Sequence, residues 1–192
     1  ECSVQAAKVI RDAAIAAGAP DNCIQWLGMR SMYATNALMN HSGVATILAT
    51  GGNAMVKAAY SCGKPALGVG AGNVPAYVEK SCVLKRAVND IVLSKSFDNG
   101  MICASEQAAI VDQEIYDAFK VEMSRFKVYF ANHEEKAKLE TYMFGCTAYS
   151  DKVNEARLNP AIVGKPATWI AEQVGFVVPD DTQIICAECE EV

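Results

Sequence analysis

Val44-Ala45-Thr46-Ile47-Leu48-Ala49 carries no charge and runs directly into Thr50-Gly51-Gly52-Asn53. An amphipathic stretch follows from Ala54 to Cys62. A short continuous apolar run suits a strand covered on both faces, the situation of a parallel sheet. Such a strand needs a crossover back to its neighbour, and a helix entered through a glycine turn supplies one. The pattern recurs. Ala66 to Val78 reads as a strand with interleaved glycines, Val83 to Lys95 as a helix, and Ala108 to Val111 as a strand. Helices follow over Gln113–Phe126 and His133–Phe144, then a short strand over Asn159–Gly164. Pro166 opens a helix to Val174, and Asp181–Cys186 is a last strand. Upstream, an alanine-rich helix over Val4–Ala17 stops at Gly18, Cys23–Leu27 reads as a strand, and Ser31 caps a helix over Met32–Asn40. The alternation predicts an α/β fold with a parallel sheet and right-handed crossovers. An α/β chain that begins on a helix without a starting methionine reads as an interior segment, its first strand lying upstream.

At 192 residues the chain can bury one sizeable core or two partial ones. A net charge of −5 offers no electrostatic footprint for nucleic acid or an acidic membrane. No apolar run reaches the roughly 20 residues needed to span a bilayer, and the N-terminal residues form no secretory signal. The eight cysteines are scattered through apolar segments instead of framing short loops, which predicts reduced thiols in a cytoplasm. Cys186-Ala187-Glu188-Cys189 is the one C-x-x-C pair, and neither His41 nor His133 stands at ligand spacing from it, so no metal site is expected.

Chemistry concentrates around Phe97-Asp98-Asn99-Gly100-Met101-Ile102-Cys103-Ala104-Ser105-Glu106-Gln107. Asp-Asn-Gly turns the backbone over and presents Cys103 among small and polar residues. A thiolate is the nucleophilic form, and neighbouring backbone N–H dipoles favour it. Cys103 is therefore the candidate nucleophile, against the alternative of an ordinary half-buried cysteine at a strand start. Thr50, Gly51 and Gly52 lie where α/β proteins bind nucleotides: the carboxyl end of a strand at a helix N-terminus. The alternative there is a plain tight turn. Gly68-Val69-Gly70-Ala71-Gly72 continues into strand and not helix, so its glycines mark close approach of a ring or substrate to the backbone, not a dinucleotide loop.

In this order, Ala49-Thr50-Gly51-Gly52, Ser61-Cys62-Gly63-Lys64-Pro65, Gly68-Val69-Gly70-Ala71-Gly72-Asn73-Val74-Pro75 and the Cys103 stretch resemble the acylating aldehyde dehydrogenase module of the bifunctional aldehyde–alcohol dehydrogenases. The likeness covers nearly the whole chain and weakens between about Lys127 and Arg157. It implies an aldehyde-dehydrogenase-like fold: residues 1–103 as the later part of an NAD-binding domain, residues 104–192 as the first part of a catalytic α/β domain. Cys103 then faces a cleft between them. It also implies reversible conversion of acetyl-CoA and NADH to acetaldehyde, coenzyme A and NAD through a thioester on Cys103. Thr50, Gly51, Gly52 and Gly70 match the cofactor contacts, and the partners are an aldehyde or acyl-CoA and further copies of the chain in a homo-oligomer.

Water-using aldehyde dehydrogenases carry a glutamate where this chain has Gly68, and glycine cannot act as a general base. A thiol, coenzyme A, is then expected to release the acyl group. Glu106 is the nearest carboxylate to Cys103 in sequence, readable as a base or as a solvent-facing or capping residue. The family's first dinucleotide strand, an upstream oxyanion-hole asparagine, a downstream glutamate for the nicotinamide ribose and the iron-binding alcohol dehydrogenase module have no counterparts here, so the isolated chain is expected to be inactive. Two other readings are a water-using aldehyde dehydrogenase and a non-catalytic α/β assembly module.

Overall fold

The computed structural model describes residues 2–70 and 72–189. The chain divides at 71/72 into two compact units.

In the first unit, α1 (Cys2–Ala16) is followed by α2 (Met32–Asn40), which Ser31 caps by accepting the Ala34 N–H at 3.1 Å. Next come β1 (Ile47–Thr50), α3 (Asn53–Ser61) and β2 (Ala66–Val69). The two strands pair in parallel with Leu48 opposite Leu67 and Thr50 opposite Val69, so β1–α3–β2 is a βαβ unit. Met39, Ala49 and fully buried Ala59 form its core, with Ile47, Met55 and Ala66 packed around them. On the other face, Leu48, Leu67 and Val69 remain 76%, 65% and 55% exposed. The strand expected over Cys23–Leu27 is loop. No strand pairs with it among the described residues, and Trp26 lies instead beneath the Arg11 guanidinium at 5.4 Å.

The second unit repeats the βαβ scheme twice. β3 (Pro75–Val78) pairs in parallel with β4 (Ala108–Val111) through α4 (Leu84–Ser96). After α5 (Tyr116–Arg125), β5 (Val128–Ala131) pairs in parallel with β6 (Ile184–Ala187), and α6 (His133–Phe144) and α7 (Ala167–Val174) lie between them in sequence. Val78 of β3, Val88 and Val92 of α4, Phe119 and Met123 of α5 and Val128 of β5 form one core, with Val88 at 0% exposure.

Three further strand assignments differ from the sequence reading. The long strand over Ala66–Val78 is interrupted between Val69 and Pro75, and its halves belong to different units. Asn159–Gly164 is a turn and not a strand. The Asn159 side chain accepts the Ala161 N–H at 3.0 Å, Pro160 opens a short helical turn, and Gly164 closes it at φ 73°. β5 had no counterpart in the reading. The compact units part at 71/72, and β3 before Cys103 is hydrogen-bonded to β4 after it.

Candidate active site

Cys103 lies between α4 and β4. The chain leaves α4 through Phe97–Gly100, where Asp98, Asn99 and Gly100 take φ values of 50°, 51° and 72°. Asp and Asn are the non-glycine residues that best tolerate this left-handed region. Gly100 is also closely packed, since a Cβ there would press on the Lys95 carbonyl oxygen and Cε at 3.3 Å. This run delivers the backbone to a turn over Ile102–Ser105. Ser105, 2% exposed, closes the turn: its N–H and its hydroxyl both donate to the Ile102 carbonyl, at 3.1 and 2.9 Å. Cys103 occupies the second position of that turn and is exposed. Its own N–H and that of Ala104 donate to nothing among the described residues. A thiol facing solvent beside two unpaired N–H groups can attack a carbonyl carbon and receive the resulting oxyanion. Immediately after the turn, Gln107 and Ala108 donate to the Val74 carbonyl, at 2.9 and 3.4 Å, and start the β4 ladder. Glu106 is half-buried, with an Oε2 that is buried and has no hydrogen-bond partner among the described residues.

The glycine turn belongs to the first unit. Thr50 ends β1, the Gly51 N–H donates to the Val69 carbonyl at 3.1 Å, and Gly52 precedes α3 with no side-chain cap. The N–H groups of Asn53 and Ala54 donate to nothing among the described residues. A helix start of this kind attracts anionic groups through free donors and the positive end of its dipole. A Cβ on Gly52 would meet nothing within 4 Å, so the approach is open. A Cβ on Gly70 would come within 3.0 Å of the Asn53 Oδ1. Thr50, Gly51, Gly52 and Gly70 are thus gathered at one end of the β1–β2 pair.

Gly68 is held by α3. A Cβ there would lie 2.5 Å from the Val56 Cγ1 and 2.9 Å from the Tyr60 ring, and the Gly68 N–H donates to the Tyr60 hydroxyl at 2.9 Å. Tyr60 did not stand out in the sequence, and Asn99 was read only as part of the Asp-Asn-Gly turn. For Asn99 the signal was present, an amide residue inside a turn that needs left-handed backbone.

Among the described residues, no group of three or more His, Cys, Asp or Glu could hold a metal ion. Cys186 packs against the core of the second unit, where burial pushes its thiol up to about 11. Cys189 is exposed, with its Sγ 3.9 Å from the Lys136 Nζ.

Parallel βαβ units define an α/β protein; the first unit carries an uncapped helix start after a glycine turn, and the second an exposed thiol on a turn in left-handed backbone. The chain belongs to the aldehyde dehydrogenase family, whose model matches residues 1–135. It is 68% identical over all 192 residues to aldehyde-alcohol dehydrogenase 2 of Entamoeba histolytica, and spans 22% of that protein's length. An acetylating aldehyde dehydrogenase from Geobacillus thermoglucosidasius superposes over 100% of this chain and 40% of its own. The TM-score is 0.86 and the identity 44%. A propionaldehyde dehydrogenase from Rhodopseudomonas palustris, solved with bound CoA and an acylated cysteine, covers 94% of this chain and 39% of its own. There the TM-score is 0.78 and the identity 32%. Among the described residues no helix is long and apolar enough to cross a membrane.

Proposed function

We propose that the chain is part of an acylating aldehyde dehydrogenase that interconverts acetyl-CoA and acetaldehyde with NAD, Cys103 being the nucleophile. The observation that carries this reading is the exposed Cys103 on a turn with unpaired N–H groups. Its sulfur attacks the carbonyl carbon of the acyl thioester, a carbon–sulfur bond forms, and coenzyme A leaves as its thiolate. The N–H groups of Cys103 and Ala104 receive the developing oxyanion. The nicotinamide cofactor, when bound, would supply the hydride as NADH in reduction and accept it as NAD in oxidation. Asn53 and Ala54 at the start of α3 would hold its diphosphate, with Thr50, Gly51, Gly52 and Gly70 giving it backbone without side-chain bulk. The unit ending at residue 71 then serves the cofactor, and the one beginning at residue 72 presents the nucleophile.

Gly68 favours release by coenzyme A over release by water. The Val56 and Tyr60 contacts leave no space there for a carboxylate that could activate water. Eight unpaired cysteines suit a reducing, cytoplasmic setting. The likeness to the aldehyde–alcohol dehydrogenases supports assembly into homo-oligomers and predicts that the 192-residue chain alone turns over no acetaldehyde. NADH formation by that chain with acetaldehyde, NAD and coenzyme A would refute this last point.

The test is mass spectrometry after exposure of the complete enzyme to acetyl-CoA. The acetyl group is expected on Cys103 and absent from a Cys103→Ser variant. Labelling at another cysteine would overturn the assignment.

A further inference from the structure

Two turns 65 residues apart in sequence are joined at the base of the Cys103 turn. The Asn99 side-chain amide donates to the Gly164 carbonyl at 2.9 Å. Met101 closes over the same residue, so that a Cβ on Gly164 would stand 2.7 Å from the Met101 sulfur. Gly164 itself has φ 73° and Asn99 φ 51°, so both ends of the link sit in left-handed backbone. Strained backbone persists only where surrounding contacts over-determine it, and it gathers at functional sites. The downstream side of the Cys103 turn is anchored by buried Ser105 and by β4 pairing with β3. On the upstream side the anchoring contacts are the Asn99–Gly164 link and the packing of Gly100 on Lys95.

We propose that Asn99 is a positioning residue, latching the Cys103 turn to the Gly164 turn so that the N–H groups of Cys103 and Ala104 face an incoming carbonyl. The latch rests on the reading of Cys103 as the nucleophile. It deepens that reading by naming what holds the oxyanion donors in place. Acylation and alkylation at one sulfur should respond differently to its loss. In acylation by p-nitrophenyl acetate, the sulfur bonds to the acetyl carbon, an oxyanion forms, and p-nitrophenolate leaves. In alkylation by iodoacetamide, the sulfur bonds to the methylene carbon, iodide leaves, and no oxyanion forms.

The experiment measures both rates at each cysteine of this segment by peptide mass spectrometry in the complete enzyme and in its Asn99→Gly and Asn99→Asp variants. Glycine keeps the left-handed backbone and loses the donor. Aspartate keeps the size and replaces the donor with an acceptor. Both variants are expected to lower Cys103 acylation about fivefold, the population change that follows from one net hydrogen bond. Cys103 alkylation and the reactivity of Cys82 and Cys186 should stay unchanged. Gly164→Ala should reproduce the effect from the other side. Unchanged acylation in the Asn99 variants would overturn the latch. So would a parallel change at Cys82 and Cys186, which would mark Asn99 as merely structural. Failure of Cys103 in the parent enzyme to acylate faster than the other seven thiols of this segment would overturn the nucleophile reading, and the latch with it.

Discussion

Gly68→Ala is the most informative single change in the first unit. The added Cβ would lie 2.5 Å from the Val56 Cγ1 and 2.9 and 3.1 Å from two atoms of the Tyr60 ring. Tyr60 is largely exposed and can swing aside, whereas Val56 is β-branched and stiff at χ1 on α3. Val56 therefore sets the cost of overpacking, about 2 kcal/mol. Displacing Tyr60 weakens its hydrogen bond from the Gly68 N–H, worth about 0.5 kcal/mol at this exposed position. Against these, alanine removes conformational freedom from the unfolded chain, a return of about 0.5 kcal/mol. The net destabilisation is about 2 kcal/mol, or roughly 4–8 °C in Tm for a chain of this size. Urea unfolding followed by far-UV circular dichroism measures it. Val56→Ala removes the obstructing methyl, so the double variant should be more stable than the sum of the single changes by about 1.5 kcal/mol. Additive effects, or a Gly68→Ala chain as stable as its parent, would refute the packing argument and with it the physical exclusion of a carboxylate at this position.

Asn132 and Glu135 form a capping box at the start of α6, each side chain accepting the other's backbone N–H at 3.0 and 2.9 Å. Asn132→Ala should cost about 1 kcal/mol in the same urea experiment. Phe119→Ala empties a core position packed among Val78, Val88 and Val128, and should cost about 3–5 kcal/mol in thermal or urea unfolding. Burial, reinforced by the charges of Cys189 and Glu188, raises the Cys186 thiol from an ordinary 9.0 to about 11. The folded chain thus keeps that proton to higher pH than the unfolded chain. Its contribution is complete below about pH 9 and is lost as pH rises towards 11. The loss amounts to at most about 3 kcal/mol, and Cys186→Ala should flatten this part of a stability–pH curve. An identical alkaline decline in parent and variant would contradict it.

Elements with local punctuation were legible in the sequence. Ser31 marked the start of α2, and the span His133–Phe144 of α6 is bounded by the Asn132 cap and by Gly145 in left-handed backbone. Where a boundary was disguised, the reading failed. Lys127 sits at φ 65° after α5, a position usually signalled by glycine, and β5 begins at the next residue. Cys23–Leu27 had a strand's composition, but a strand exists only through a partner, and sequence does not show partners. The exposed turn that carries Cys103 was readable because it is written in adjacent residues. The Asn99 contact with Gly164 and the Tyr60 contact with Gly68 were not, since each depends on tertiary packing that adjacent residues do not encode.

Three consecutive left-handed residues also restrict what inheritance can do with this turn. At positions 98, 99 and 100 most of the amino-acid alphabet would set Cβ against the following carbonyl. A library randomised at these three positions and selected only for folding should return a vocabulary of little more than glycine, asparagine and aspartate.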